Sequence, residues 1–215
     1  QLYKWTIHGG FNIKFIVSMG YFTKTALAVA ILATSLVVFS VIQSNDGSKN
    51  LNDGDNLDCG FTQDFSDFIK SNGTHFAYLG YATFQFDRPD IKCGTFGGKT
   101  NSTAKLKKIP VIFIHGNSDV AFGRGTTDGY VAWQTGFRSL ATYLVAQGWD
   151  KSDLYTTTWG PADPNQAQNN YHSKKTVMYL RAFVEAVLAY TKAKEIIVIG
   201  HSMGVSLARR VIKGG

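Results

Sequence analysis

Apolar positions in the second half of the chain fall into short continuous runs separated by helical stripes. Val111-Ile112-Phe113-Ile114 is stopped at once by His115-Gly116, the pattern of a strand buried on both faces. Leu154 to Trp159, broken by Pro161 and Pro164, predicts a second strand, and Ile196 to Ile199 a third. Between them the period becomes helical. Phe137, Leu140, Ala141 and Leu144 share a face closed by Gly148 as C′ residue, and Val177, Leu180, Val184, Val187 and Leu188 stripe a longer helix with Ser173 as its cap. Val205 to Ile212 predicts a third helix. Alternation of this kind gives parallel strands joined by right-handed crossovers, so the expected fold class is α/β, a parallel sheet covered by helices on both faces.

The first half is less regular. Phe61, Phe65 and Phe68, with Gly73 as a stop, predict a short helix, and Tyr78 to Phe86 predicts a strand. Loops are expected from Cys93 to Lys108 and from Asn117 to Gly129. Residues 45–58 are mostly Asn, Asp, Gly and Ser and read as a flexible linker. Ahead of them, Met19 and Lys24 precede an apolar run from Ala26 to Ile42, which reads as a signal peptide over residues 19–44. The run falls just under the ~18 to 20 residues that span a bilayer, so an uncleaved anchor is the alternative, while Ser40 and Ser44 at plausible cleavage points favour removal. Residues 1–18 carry neither period nor turn logic and are read as upstream sequence, leaving 59–215 as the folded part.

Composition narrows the picture. With 44% hydrophobic and 17% charged residues the chain is globular rather than disordered. The net charge of +7 does not indicate a nucleic-acid partner: three of the 22 basic residues precede Asn45, where no acid stands, and the rest are dispersed among 15 acids. Sequons at Asn72-Gly73-Thr74 and Asn101-Ser102-Thr103 fit glycosylation outside the cell. Cys59 and Cys93 are the two cysteines, either bridged to each other or to cysteines beyond Gly215. No cluster has metal-ligand spacing and no glycine-rich turn has a dinucleotide or phosphate-loop form, so neither a metal nor a cofactor is expected. The sequence gives no oligomeric state.

The chemistry gathers at Gly200-His201-Ser202-Met203-Gly204. Gly-x-Ser-x-Gly is weak evidence alone in a chain with 22 glycines, but here it follows a buried strand and opens a helix. A sharp turn there forces the serine into strained geometry, leaves room only for glycines at 200 and 204, and lifts Ser202 Oγ above the carboxyl ends of the strands. Attack on an ester carbonyl also needs oxyanion donors. The Met203 N–H is the natural first one, and the second should come from the loop after the first buried strand, where His115-Gly116-Asn117 stands.

Over Pro110 to Gly215 the sequence resembles the class 2 lipases of the α/β-hydrolase fold, particularly secreted nematode ones, through PVIFIHGNSD, TTWGP, YHSKKTVM and VIGHSMGVSLARR. The resemblance implies hydrolysis of carboxyl esters or triacylglycerols, a lipid or ester substrate, Ser202 as nucleophile, and oxyanion donors at the backbone N–H of Asn117 and Met203. An acyltransferase of the same fold and a secreted non-catalytic lipid-binding or interaction protein are the rival readings.

The remaining candidates have plainer readings. His115 either supports the oxyanion loop or is a polar strand-end residue. His201 adjoins Ser202 but should point elsewhere, and His172 suits a helix-start contact. His8 and His75 lie outside the hydrolase core; Asp119 and Asp128 suit turn geometry. In this fold the triad acid and histidine follow the nucleophile. Met203 to Gly215 contain neither type. The expectation is therefore a sheet cut short after the elbow helix, with Ile196 to Ile199 as an exposed edge and a catalytically incomplete site.

Overall fold

A computed structural model describes residues 2–7, 11–18, 57–72, 85–123 and 134–213. Its centre is the predicted trio of strands, β5 (Val111–Ile114), β6 (Leu154–Thr157) and β7 (Glu195–His201), adjacent in the order β7-β5-β6 and all parallel. Each predicted crossover helix is present. Helix α2 (Arg138–Ala146) joins β5 to β6, α3 (Lys174–Thr191) joins β6 to β7, and α4 (Met203–Lys213) follows β7. Ser173 caps α3 by accepting from the Thr176 N–H at 3.0 Å. Gly148 ends α2 at φ +90°, where a side chain would be strained.

The helices divide between the two faces. Helix α2 packs Phe137, Ala141 and Leu144 on Val111, Phe113, Leu154, Ile197 and Ile199. On the other face α3 and α4 bury Leu180, Val184, Val187, Leu207 and Val211 against Ile112, Ile114, Ile196 and Val198. Alternate residues of β5 and β7 thus go to opposite cores, which is why these strands are apolar throughout. Helix α1 (Gln63–Ser71) adds Phe65, an aromatic hub with ring centroids 4.7 Å from Tyr190 and 5.3 Å from Tyr155.

The sheet is larger and less uniform than expected. The segment expected to be only loop from Cys93 to Lys108 contains β4 (Thr95–Gly97), antiparallel to β6; no helix intervenes between β4 and β5 to carry the chain back across the sheet. β3 (Gly60–Phe61) pairs with β4 at the margin, and Cys59 is joined to Cys93 by a disulfide. Of the strand expected over Tyr78 to Phe86, Gln85 and Phe86 are not in a strand and the remainder lies outside the described residues. The signal-peptide segment, most of the linker, His8, His75 and Asp128 also lie outside them.

The largest correction concerns the far edge. Residues 1–18 read as featureless, yet β1 (Leu2–Ile7) and β2 (Phe11–Ser18) form an antiparallel pair, and β2 runs parallel to β7 from Asn12 opposite Glu195 to Ser18 opposite His201. β7 is therefore an interior strand, not the exposed edge expected of it. Its backbone groups needed a partner, and an unpaired strand edge is filled by whatever extended segment can reach it.

Candidate active site

Because β5, β6 and β7 are parallel, their carboxyl ends meet at one end of the sheet. The turn from β7 into α4 places Ser202 there with φ +50°, in the left-handed region that a non-glycine residue seldom occupies. Gly204 lets the turn close: a Cβ on it would lie 2.1 Å from the Ile114 carbonyl oxygen and 2.5 Å from that of His115. At Gly200 a Cβ would lie 2.9 Å from the Val205 nitrogen. Both glycines are required by close backbone approach. Ser202 is exposed, and its hydroxyl bonds no side chain among the described residues.

The loop after β5 comes up beside the serine. A Cβ on Gly116 would stand 3.1 Å from Ser202 Cβ, so the two backbones are in near contact. The Gly116–Asn117 peptide is held from behind. Trp159 donates its backbone N–H to His115 Nε2 at 3.1 Å, so the ring proton sits on Nδ1, which donates to the Gly116 carbonyl at 2.7 Å. Carbonyl and N–H point opposite ways across a trans peptide, so the Asn117 N–H is directed away from the imidazole. Neither that N–H nor the Met203 N–H has another acceptor among the described residues.

His115 is buried completely, and burial pushes its pKa down to about 4, which keeps the imidazole neutral near pH 7. The Trp159 indole is stacked on it with ring centroids 5.2 Å apart and planes nearly parallel, and donates its Nε1–H to the His115 carbonyl. The Asn117 side chain donates to the Ala167 carbonyl at 2.9 Å and accepts from Asn170 at 2.7 Å. Asp119, also buried, accepts from the Val120 N–H at 2.8 Å and from the Gly136 N–H at 3.4 Å; burial raises its pKa to about 6. It serves the loop, as a turn residue would.

No described histidine is hydrogen-bonded to Ser202 Oγ, although His201 Nδ1 and Ser202 Cβ both lie within about 3.2 Å of where a Cβ on Gly116 would stand. His172 Nε2 lies 2.5 Å from Ser206 Oγ on the surface, and His201 is half-buried, its pKa lowered by burial. Asn72 closes α1, with its amide nitrogen donating to the Phe68 carbonyl, whereas Asn101 is exposed and its amide oxygen accepts from Thr103. Ser202, Met203, Gly200 and Gly204, singled out from the sequence, and Asn117, implied by the family resemblance, are brought together by the fold. Trp159 and Asn170 were not singled out, because their partners are 44 and 53 residues away and leave no local pattern.

The class 2 lipase profile matches residues 108–215, which span β5 to α4 and every residue of this site. The chain belongs to the class 2 lipase family. Membership supports a hydrolase of lipase or esterase type acting on lipid or ester substrates, and the mixed, mostly parallel sheet with helices on both faces is compatible with the α/β-hydrolase fold. Family and geometry meet at one place. The matched segment begins just before the strand that leads into the Gly116–Asn117 loop and contains the turn that presents Ser202.

Proposed function

We propose that this member of the class 2 lipases is a secreted carboxyl-ester or triacylglycerol lipase that works through an acyl-enzyme on Ser202. The observation that carries the reading is the exposed serine at φ +50° beside Gly116, with two uncommitted N–H groups at hand. Ser202 Oγ attacks the ester carbonyl carbon and gives its proton to a histidine. The carbonyl oxygen takes the negative charge and is received by the N–H of Asn117 and of Met203. Collapse expels the alcohol, which takes the proton from the histidine; water then repeats the sequence and releases the carboxylic acid. No described histidine is hydrogen-bonded to Ser202 Oγ, so none is given this part. The hydrolase reading is favoured over acyl transfer to an alcohol by the family alone, since both start from the same acyl-enzyme.

The test is a fluorophosphonate probe together with ester and triacylglycerol turnover in the full-length protein. Ser202→Ala should abolish labelling and turnover while leaving secretion intact, because an exposed serine contributes little packing; near-wild-type activity would overturn the assignment. Products from a labelled ester, with and without added alcohol, separate hydrolysis from acyl transfer.

Secretion is proposed on the apolar run in residues 19–44, with a mature terminus near Val41 or Asn45. Cleavage there would also remove β1 and β2 from beside β7. N-terminal sequencing of the secreted protein decides between a processed chain and one that keeps its hairpin.

A further inference from the structure

Arg88 lies 20 residues before the family-matched segment, yet its side chain holds backbone that bears on the oxyanion loop. One edge of its guanidinium is bidentate on Asp90, with Nε to Oδ1 at 2.8 Å and Nη2 to Oδ2 at 2.6 Å. Nη1 donates to two carbonyls, Thr158 at 2.7 Å and Gly160 at 2.9 Å. Arg88 is mostly buried while Asp90 is exposed, so the ion pair by itself contributes little stability. Its effect is to orient the fork, so that one nitrogen gathers the two carbonyls that flank Trp159.

Trp159 is the residue whose N–H meets His115 Nε2 and whose indole N–H meets the His115 carbonyl. Thr158 is fixed independently, through its N–H and hydroxyl to the Gly94 carbonyl, and its Oγ1 accepts from the Ala121 N–H in the oxyanion loop. Carrying the strand register past the ends of β5, β6 and β7 puts Trp159, Gly116 and Ser202 in one row, with Trp159 and Ser202 about 10 Å apart across two strand spacings. The contacts are continuous: Asp90 to Arg88, Arg88 to the peptide units around Trp159, Trp159 to His115, and His115 to the Gly116 carbonyl.

We propose that Arg88 is a positioning residue for the Gly116–Asn117 oxyanion peptide, acting through Trp159 and His115. It touches no reacting atom. It fixes the backbone at Trp159, which selects the Nδ1–H tautomer of His115, and that proton fixes the peptide plane presenting the Asn117 N–H. A lysine has no fork with which to hold Asp90 and two carbonyls together, so Arg88→Lys should fail as a replacement. The role in turnover rests on the lipase reading; the effect on His115 and Asn117 does not.

The test compares Arg88→Lys and Arg88→Ala with Lys107→Ala, which breaks the surface Lys107–Asp150 pair elsewhere on the molecule. In full-length protein, the ¹⁵N resonances of the His115 ring and of the Asn117 amide are followed together with kcat, KM and thermal unfolding. Both Arg88 variants should mix the His115 tautomers, shift and broaden the Asn117 amide resonance and lower kcat about tenfold with KM little changed, part of the ~10²- to 10³-fold loss from deleting an oxyanion donor. Lys107→Ala should do none of this. The proposal is overturned if His115 and Asn117 keep their wild-type signals in both variants, or if both variants lose cooperative unfolding, which would make Arg88 a folding residue. It is overturned equally by tautomer mixing with kcat unchanged in an active enzyme. A wild-type protein that hydrolyses no ester sinks the lipase reading instead, and the ring and amide signals then decide the Arg88 relay alone.

Discussion

At Gly204 the missing side chain matters because the Ile114 carbonyl occupies the space a methyl group would need, whereas at Gly148 the nearest atom to a Cβ is 3.6 Å away, on the flexible Lys108 side chain. Gly204→Ala must push main chain apart and should cost about 3 kcal/mol, the upper end for overpacking. Gly148→Ala meets only its positive φ and should cost about 1 kcal/mol. Urea unfolding checks the pair; equal losses would show that the elbow can relax. Of the residues at the site, those legible in advance were the ones whose role follows from chain neighbours, namely Ser202 and Met203 in the turn with the glycines around them. Arg88 and Trp159 act on backbone distant in sequence, where neither spacing nor residue type announces a function.

At the scale of elements, the loop after β5 holds two titratable side chains with opposed responses to acid. His115 has a folded pKa of about 4 against an ordinary 6.5, so the stability tied to its neutral form is lost as pH falls from 6.5 toward 4. Asp119 has a folded pKa of about 6 against 3.8; its ionisation is costly in the folded loop, so stability is gained as pH falls from 6 toward 4. A gap of about two pH units is worth about 3 kcal/mol at most, and the two contributions nearly cancel. Asp119→Asn should therefore unmask a loss of stability below pH 6.5 that the parent lacks, read by thermal unfolding between pH 4 and 7; a parallel pH profile in both proteins would refute this. The Cys59–Cys93 bond closes a segment of 34 residues and ties β3 to the turn before β4. Replacing both cysteines by alanine should cost about 4 kcal/mol on chain-entropy grounds, measurable as a fall in Tm. The three central strands and their helices were legible because each buries one continuous run or one stripe. β3 and β4 were not, since strands of two and three residues carry no period.

For the whole molecule the decisive question is what lies beside β7. With β2 in place, the ladder of β7 is paired on both sides, to β2 and to β5. Protein lacking residues 1–44 should expose that ladder and its apolar strand, so it should associate at lower concentration and melt at lower temperature than the chain that keeps the hairpin, unless a further segment pairs in its place. Light scattering and calorimetry on the two forms check this; an equally monomeric, equally stable short form would show that the hairpin is dispensable. The hairpin escaped sequence reading because neither of its strands carries a continuous apolar run as long as that of β5, and its place is set by a strand about 180 residues away.

That distance carries a consequence for biosynthesis. Asn12 pairs with Glu195, a separation on the order of 180 residues, among the most non-local contacts a chain of this size can make. β1 and β2 can pair with each other as soon as both leave the ribosome, but β2 then waits with one ladder unfilled until β7 has been made. At ~5 to 20 residues per second that wait lasts about 10 to 40 seconds, during which the hairpin is a free sticky edge that a neighbouring nascent chain can reach as readily as its own β7. In a chain that keeps the hairpin, the ladder between β2 and β7 thus closes only after β7 has emerged, and the yield of folded protein should depend on how crowded the chains are while they wait.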